Sequence, residues 1–567
     1  MRRPPLPLPK MNMLFPNSLR LLLATALAAC CWSPAFAQSK PKLVVVVSVD
    51  QLCYKYLDIY EGGFDEEGFF QTVGRDGASF TDCYHRHAFT FTAPGHSVML
   101  TGAYPNRTGI IGNGWYDPDW GRDRYCVEDQ TVRLVGLPDG EGGDPMSPRS
   151  LQAETLGDVM KRSTAGKAKV FGIAWKDRAG ILMAGRRADA AYWFDTRCWV
   201  TSTYYREELP PYIRTWNESR VAQRYAGATW ELLLPKDRYI AAREDDYEFE
   251  SEAYGLGRAF PHTLAAADDP MFDKQLPLTP IGNQLTLEAA MMIIEFGGLG
   301  DDDVTDLLCI GLSSNDYAGH QYGPYSLEVQ DMTFRTDQLL AQFIKQLDEQ
   351  IGEGNWTLAL TADHGVAPLP EFLPQVGIEA TKRDPLGDKD LDEFHQLLEG
   401  KVRQALGEPP DLEAYVLEDE VNQVNLNRDP AVLAGQRLTQ ARAAVKAALK
   451  EIPEVHAAYT RDEILAAKSG DGRLMSHFQK AFHAERSGDV MFVLKPYTIQ
   501  TKAAATHGSP WPYDTHVPLL LLGSGVKPGT YRTQCSPANL GPTLAKLLDV
   551  ETPMHAVEGP LAEVLKP

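Results

Sequence analysis

Leu43-Val-Val-Val-Val-Ser-Val49 is the stretch that most restricts what this chain can fold into. Apart from Ser48 it is apolar and largely β-branched, so neither face is left for water. A strand of that kind is buried on both sides, as in a parallel sheet covered by helices. It runs into Asp50. The same grammar recurs along the chain: 170–175 runs into Lys176, 307–312 leads to Asp316, and 356–362 ends in Asp363-His364. A further strand is expected at 518–522, after His507 and His516. Helical periodicity occupies 151–161, 286–296 and 326–351. Strands alternating with helices predict an α/β fold with a mainly parallel sheet sandwiched by helices. Ligands of such sheets gather at the carboxyl ends of the strands, where these polar residues fall.

Two stretches break the alternation. Residues 187–283 are rich in Tyr, Trp, Pro and Arg, with little helical period. Residues 370–500 carry helical patterns at 390–406 and 431–450 and short strand patterns at 414–417 and 490–494. Both are expected as insertions on one catalytic core spanning 38–567, placed to cap its site.

The first 37 residues have a different character. Arg2, Arg3, Lys10 and Arg20 are basic and no acid precedes Asp50. A short apolar run at 21–29 and Ala35-Phe36-Ala37 before Gln38 predict a signal peptide over 1–37, too short to span a bilayer. Leu27-Ala28-Ala29-Cys30 offers a competing lipoprotein site, with a lipid on Cys30. The expectation is a soluble exported protein, periplasmic or secreted, with no later transmembrane segment. The remaining 530 residues carry 51 basic and 76 acidic side chains, a net charge of −25. That surface repels nucleic acid and anionic lipid outside any local positive pocket. Six Cys remain (Cys53, Cys83, Cys126, Cys198, Cys309 and Cys535). Their spacing selects no disulfide pairing and no Cys-based zinc site.

Thr92 follows an aromatic, Thr-rich run, and Pro94 suits the first turn of a helix. A hydroxyl there sits where free N–H groups and the positive helix end converge, a place for an anion. A plain Thr cap is the commoner use of such a residue. Asp316-Tyr-Ala-Gly-His320 sets a carboxylate and an imidazole four apart after a strand, with Gly319 permitting a sharp turn; a polar turn reads equally well. Asp363-His364-Gly365 can address one or two metals or simply cap a turn, and Asp50 can cap the next helix. His507 and His516 are both open as ligands. Lys176 and Arg178, two apart on an extended backbone, face the same way and could clamp phosphate oxygens. Each feature alone has a bland reading. Together, three Asp and three His at strand ends can hold two divalent metals, the arrangement used for in-line displacement at phosphorus.

In these residues the chain resembles the alkaline phosphatase superfamily, and more closely the bacterial phosphate-irrepressible alkaline phosphatases with a Thr nucleophile. The resemblance covers the whole mature chain. It implies that Thr92 is the nucleophile, in a Thr-x-Pro-x-His pattern, and that Asn113, Lys176 and Arg178 bind the substrate phosphate. It implies two Zn2+ ions, one on Asp316, His320 and His507, the other on Asp50, Asp363, His364 and the Thr92 hydroxyl. His507 is preferred to His516 because related phosphodiesterases place their ligand in a His-Gly pair before Tyr-Asp. No Ser stands in the nucleophile slot, and the Arg of the sulfatase pattern is missing after Pro94. The implied activity is hydrolysis of small phosphate monoesters through a phosphothreonine. The alternative is a nucleotide pyrophosphatase/phosphodiesterase of the same superfamily. Lys176 and Arg178 favour monoesters, whose dianion has one more charged oxygen to neutralise. An exported binding protein with structural metal would need no nucleophile beside a phosphate clamp.

Overall fold

The structure is a computed structural model. It describes residues 40–138, 141–240, 242–378, 391–407 (backbone alone at 391–393), 414–417, 422–468 and 470–566. The expected signal peptide and Cys30 lie outside the described residues.

The core is a ten-stranded sheet. At its centre β1 (Leu43–Val49) is flanked by β3 (Asp306–Leu312) and β4 (Trp356–Thr361), both parallel to it, and β2 (Val170–Ala174) pairs in parallel with β3. Every residue of these four strands is buried. Each fully buried Val or Leu contributes roughly 1.5–3 kcal/mol, so a charge anywhere in β1 would break the sheet at its middle. The edges depart from the parallel pattern. Leu519–Gly523 runs antiparallel to β4, and Ala78–Phe80 runs antiparallel to it in turn. On the far side Ala190–Asp195 continues the parallel order before Cys198–Ser202 reverses it.

Those two strands correct the first expected insertion. The stretch 187–283 opens with core sheet, and the long helix Pro280–Gly297 begins inside it. Its Tyr and Trp content reflects strands packed against other aromatics: Phe194, Trp199 and Trp216 meet as one ring cluster. Between 370 and 500, Gln423–Val424, Val490–Leu494 and Val455–Thr460 form a separate three-stranded sheet, with helices Leu391–Leu406 and Gly435–Glu451 beside it. It has its own apolar cluster around Leu398, Val445 and Phe492. The helix expected at 151–161 starts later, at Leu156–Ser163, where Thr155 and Asp158 close a capping box. Cys83 and Cys535 face each other across a bridge, both buried. No helix among the described residues is long and apolar enough to cross a membrane.

The sheet delivers its polar residues to one place. Asp50 extends β1 by one further bond, its N–H donating to Leu312 O at 3.0 Å. Helix α1 (Thr92–Thr101) is buried along its whole length. It packs on α2 (Asp177–Ala184), which follows β2. Helix α3 (Ser314–Tyr322) follows β3.

Candidate active site

Thr92 is the first residue of α1, with extended Phe91 before it as the cap. The capping role weighed for Thr92 is thus not the one observed. Instead Asn113 Oδ1 accepts the Ala93 N–H at 2.9 Å, satisfying one of the free donors of that helix end. Thr92 Oγ1 lies 3.5 Å from His364 Nε2. Its hydroxyl is therefore held at a positive helix end and beside an imidazole. Behind it, a Cβ on Gly95 would stand 2.2 Å from Asp363 O, so α1 touches the Asp363-His364 segment backbone to backbone.

Asp316 and His320 lie on α3, one turn apart on one face. The sharp turn expected at Gly319 is absent, because Gly319 is helical. Its small size serves a different purpose: a Cβ there would stand 1.8 Å from Gln51 Oε1. Asp316 Oδ1 faces His320 Nε2 at 3.2 Å and His507 Nε2 at 3.6 Å. His364 Nε2 faces Asp363 Oδ2 at 3.1 Å and Asp50 Oδ1 at 3.5 Å. The rings of His364 and His507 stack at 3.4 Å between centroids, so the two clusters adjoin.

The three imidazoles share one arrangement. Each turns Nδ1 to a backbone carbonyl: His320 to Ala505 O, His507 to Thr90 O and His364 to Gly365 O, at 2.8, 2.8 and 2.9 Å. Each Nε2 then faces the carboxylates, and a bound metal would take that nitrogen with the ring proton kept on Nδ1. His516 is elsewhere. Its ring is stacked between Tyr54 and Tyr84 and its Nε2 contacts Thr81 O.

Lys176 and Arg178 do reach this region, but not on the extended backbone expected. Lys176 caps α2 and Arg178 lies in its first turn. Lys176 Nζ donates to Asp50 Oδ2 at 2.7 Å and to Asp316 Oδ2 at 2.5 Å. Arg178 Nη1 donates to Tyr125 Oη at 2.9 Å, and that hydroxyl donates to Asp177 Oδ1 at 2.6 Å.

The electrostatics follow from burial. It opposes the Lys176 charge, yet the Asp316 and Asp50 carboxylates overcome it and hold the ammonium above its usual range. Burial, then the Asp363 carboxylate, pushes Asp50 well up, with Lys176 opposing. Burial likewise works against ionised Asp363, but His364 and His96 hold it well down. Burial opposes the His364 imidazolium, and Asp363, Asp50 and Asp316 outweigh it, raising His364 to about 9.

Sequence reading missed four contributors. His96 Nδ1 donates to Thr92 O at 2.8 Å and lies 3.3 Å from Asp363 Oδ2. The Thr-x-Pro-x-His pattern contains it, one helical turn after Thr92, but gives it no role. Gln51 contacts Asp363 and Asp316. Tyr125 holds Arg178. Tyr317 sets its ring 5.3 Å from Lys176 Nζ. Nothing in the sequence marks the last three, because each acts through tertiary contact.

The residues fit divalent cations. Donor atoms of Asp316, His320 and His507 lie within 4.8 Å of one another, as do those of Asp50, Asp363 and His96 and those of Asp50, Asp316 and His364. Asp50 Oδ1 and Asp363 Oδ2 are buried, and imidazole nitrogens of His364 and His96 are what face them. Carboxylates buried this close together favour positive charge between them, which the His364 imidazolium gives here and a divalent cation would give in its place.

A hydroxyl at a helix N-terminus, beside adjoining Asp/His clusters at the carboxyl ends of a parallel sheet, defines a hydrolase built for phosphoryl groups. Comparison with known proteins agrees. The family model described as "Type I phosphodiesterase / nucleotide pyrophosphatase" matches residues 44–516. The alkaline phosphatase PafA of Elizabethkingia meningoseptica is 34% identical over 93% of this chain and 95% of its own. Its crystal structure superposes with a TM-score of 0.85 over 94% of this chain and all of that one. A structure of a PafA variant replaces a Thr, an Asn, a Lys and an Arg together, at 33% identity and TM-score 0.85, covering 94% of this chain and 100% of that chain. The calcium-transporting ATPase of Myroides odoratus is 34% identical over 96% of this chain and 99% of its own, and the alkaline phosphatase PhoV of Synechococcus elongatus 32% over 93% and 94%. The chain belongs to the type I phosphodiesterase/nucleotide pyrophosphatase family, within the alkaline phosphatase superfamily, and is a phosphatase-type hydrolase.

Proposed function

We propose that the chain is an exported zinc-dependent phosphatase that hydrolyses small phosphate monoesters through a phosphothreonine on Thr92. The observation that carries this reading is the placement of the Thr92 hydroxyl at the start of α1, 3.5 Å from His364 Nε2. Four relatives that match nearly the whole chain bear the name alkaline phosphatase. Thr, Asn, Lys and Arg, the types replaced in the PafA variant, are also what this chain offers at Thr92, Asn113, Lys176 and Arg178. Export rests on the pattern of residues 1–37.

Asp316, His320 and His507 would hold one ion, and Asp50, Asp363, His364 and the Thr92 hydroxyl the other; Asp and His in this mix suit zinc. Two bound divalent ions would supply a lowered hydroxyl pKa and neutralisation of the leaving oxygen. Thr92 Oγ1 attacks phosphorus in line, the bond to the alcohol oxygen breaks, and the phosphoryl group stays on Thr92. Water then cleaves that ester, releasing inorganic phosphate and restoring the hydroxyl. Asn113 has its carbonyl engaged by Ala93, so its NH2 is the end that faces a phosphate oxygen. Lys176 lies on the carboxylates, and cations placed there would release it to the substrate.

The test is turnover of an aryl phosphate monoester against the matching diester by the zinc-loaded protein, with ATP included because of the Myroides relative's name. Faster monoester turnover is expected. Faster diester turnover would make the chain a phosphodiesterase, and none with any of the three would favour a binding protein. Thr92→Ala should trap no labelled phosphate in an acid quench. Continued trapping would place the nucleophile elsewhere.

A further inference from the structure

We propose that Gln51 is a positioning residue that holds the carboxylates of the two cation sites in register; the inference rests on the two-ion reading above. Gln51 is buried and its φ is 66°. That is the left-handed region, which glycine adopts freely and a side chain resists. Strain of this kind at a site points to a function. The bend ends β1 and turns the Gln51 N–H onto Asp363 Oδ1 at 3.2 Å. The side chain reaches the other way, donating from Nε2 to Asp316 Oδ1 at 2.7 Å. A carboxylate only accepts, so the amide orientation is fixed.

Asp316 and Asp363 belong to different cation sites, and Asp50 precedes Gln51 directly. One residue thus ties both sites together. Asp316 Oδ1 is also the oxygen that faces His320 and His507. Glycine at 51 would keep the bend and the bond to Asp363 but lose the bond to Asp316. Opposite lies Gly319, inside a helix, where glycine is disfavoured. A Cβ there would stand 1.8 Å from Gln51 Oε1. The chain keeps Gln where Gly is easier and Gly where other residues are easier, and the two choices explain each other. The amide fixes the Asp316 carboxylate plane, as outer partners of metal ligands do.

Zinc affinity of the full-length protein, read by chelator competition, tests this. Gln51→Gly should lose roughly 10- to 100-fold in affinity at one of two sites, the scale for outer partners, and leave the other unchanged. Gly319→Ala should match it by expelling the amide. The double variant should lose no more than either single one, since both remove the same bond. Wild-type affinity at both sites in Gln51→Gly, or losses that add in the double variant, would overturn the proposal. So would a loss of metal-free melting temperature with zinc affinity unchanged. If Gly319→Ala fails to fold, Gln51→Asn replaces it: Asn tolerates this backbone and is one methylene too short to reach Asp316. A wild-type protein that binds no zinc would overturn the two-ion reading as well; two bound ions with unaffected variants would overturn only the role of Gln51.

Discussion

Lys176 Nζ lies 2.7 Å from Asp50 Oδ2, and the same ammonium bridges to Asp316. Without metal it balances, together with the His364 imidazolium, the buried carboxylates of Asp50 and Asp316. Removing one partner of a buried ion pair costs about 3–5 kcal/mol, mostly because the remaining charge is stranded. Lys176→Met should therefore lose stability on that scale in chelator. Two divalent ions on the same carboxylates would supply the missing charge. Urea denaturation with and without zinc should show most of the loss restored by metal. An equal loss in both conditions would mean that Asp50 and Asp316 do not hold the ions.

His364 gives a pH dependence with a definite sign. In the metal-free protein its pKa is raised from 6.5 to about 9, the carboxylates of Asp363, Asp50 and Asp316 outweighing burial. Its contribution to metal-free stability is full below pH 6.5 and is lost as pH rises through 9. Metal binding runs the opposite way, because a ligand imidazole must be neutral. Zinc uptake should release a proton from this group, and affinity should rise about tenfold per pH unit up to about pH 9. Titrations at pH 7, 8 and 9 in buffers of different ionisation enthalpy would show both. A flat affinity would contradict the assignment of His364 as a ligand.

The strand ends were legible because buried strands leave a plain apolar record, and Asp50, Lys176 and Asp363 each close one. The helices beyond them were harder to read. Asp316 and His320 are four apart in a turn reading and in a helix reading alike, and Gly319 tipped the balance toward a turn. What Gly319 accommodates is Gln51, far away in sequence. Lys176 and Arg178 were expected together on an extended backbone. The helix that begins between them sends one to the carboxylates and the other to Tyr125. The strands Ala190–Asp195 and Cys198–Ser202 were hidden by aromatic composition. Contacts made only in the folded chain leave no local pattern.

Gly95 couples the nucleophile to the cation sites through backbone packing. A Cβ there would meet Asp363 O at 2.2 Å and Asp363 Cβ at 2.7 Å. Neither atom can yield as a flexible side-chain tip would. Gly95→Ala should cost about 1–3 kcal/mol in overpacking. It should also reduce turnover by about 100-fold, the effect of an ångström's misplacement. Gly74→Ala is the control, since that helical glycine has nothing within 4 Å of a built Cβ. It should be neutral or slightly stabilising. If Gly95→Ala kept full turnover, α1 and Asp363 would not need this spacing.

Tyr125 separates the two ways Arg178 could matter. Its hydroxyl accepts from Arg178 Nη1 at 2.9 Å and donates to Asp177 Oδ1 at 2.6 Å. Arg178 Nε is buried with no hydrogen-bond partner. The guanidinium is thus steered from one side and has donors left for a phosphate. If it neutralises the extra charge of a monoester, Arg178→Ala should lower kcat/KM for an aryl monoester more than for the matching diester. The difference should be roughly 1.5–3 kcal/mol, the worth of hydrogen bonds to charged groups. Tyr125→Phe keeps the charge and loses only its alignment, so it should shift the monoester-to-diester ratio in the same direction by a smaller factor. The double variant should resemble Arg178→Ala alone, because Tyr125 acts through Arg178. Equal losses on both esters would remove the charge-reading role of Arg178. A Tyr125→Phe loss that adds fully to that of Arg178→Ala would give the tyrosine a contact of its own with the substrate.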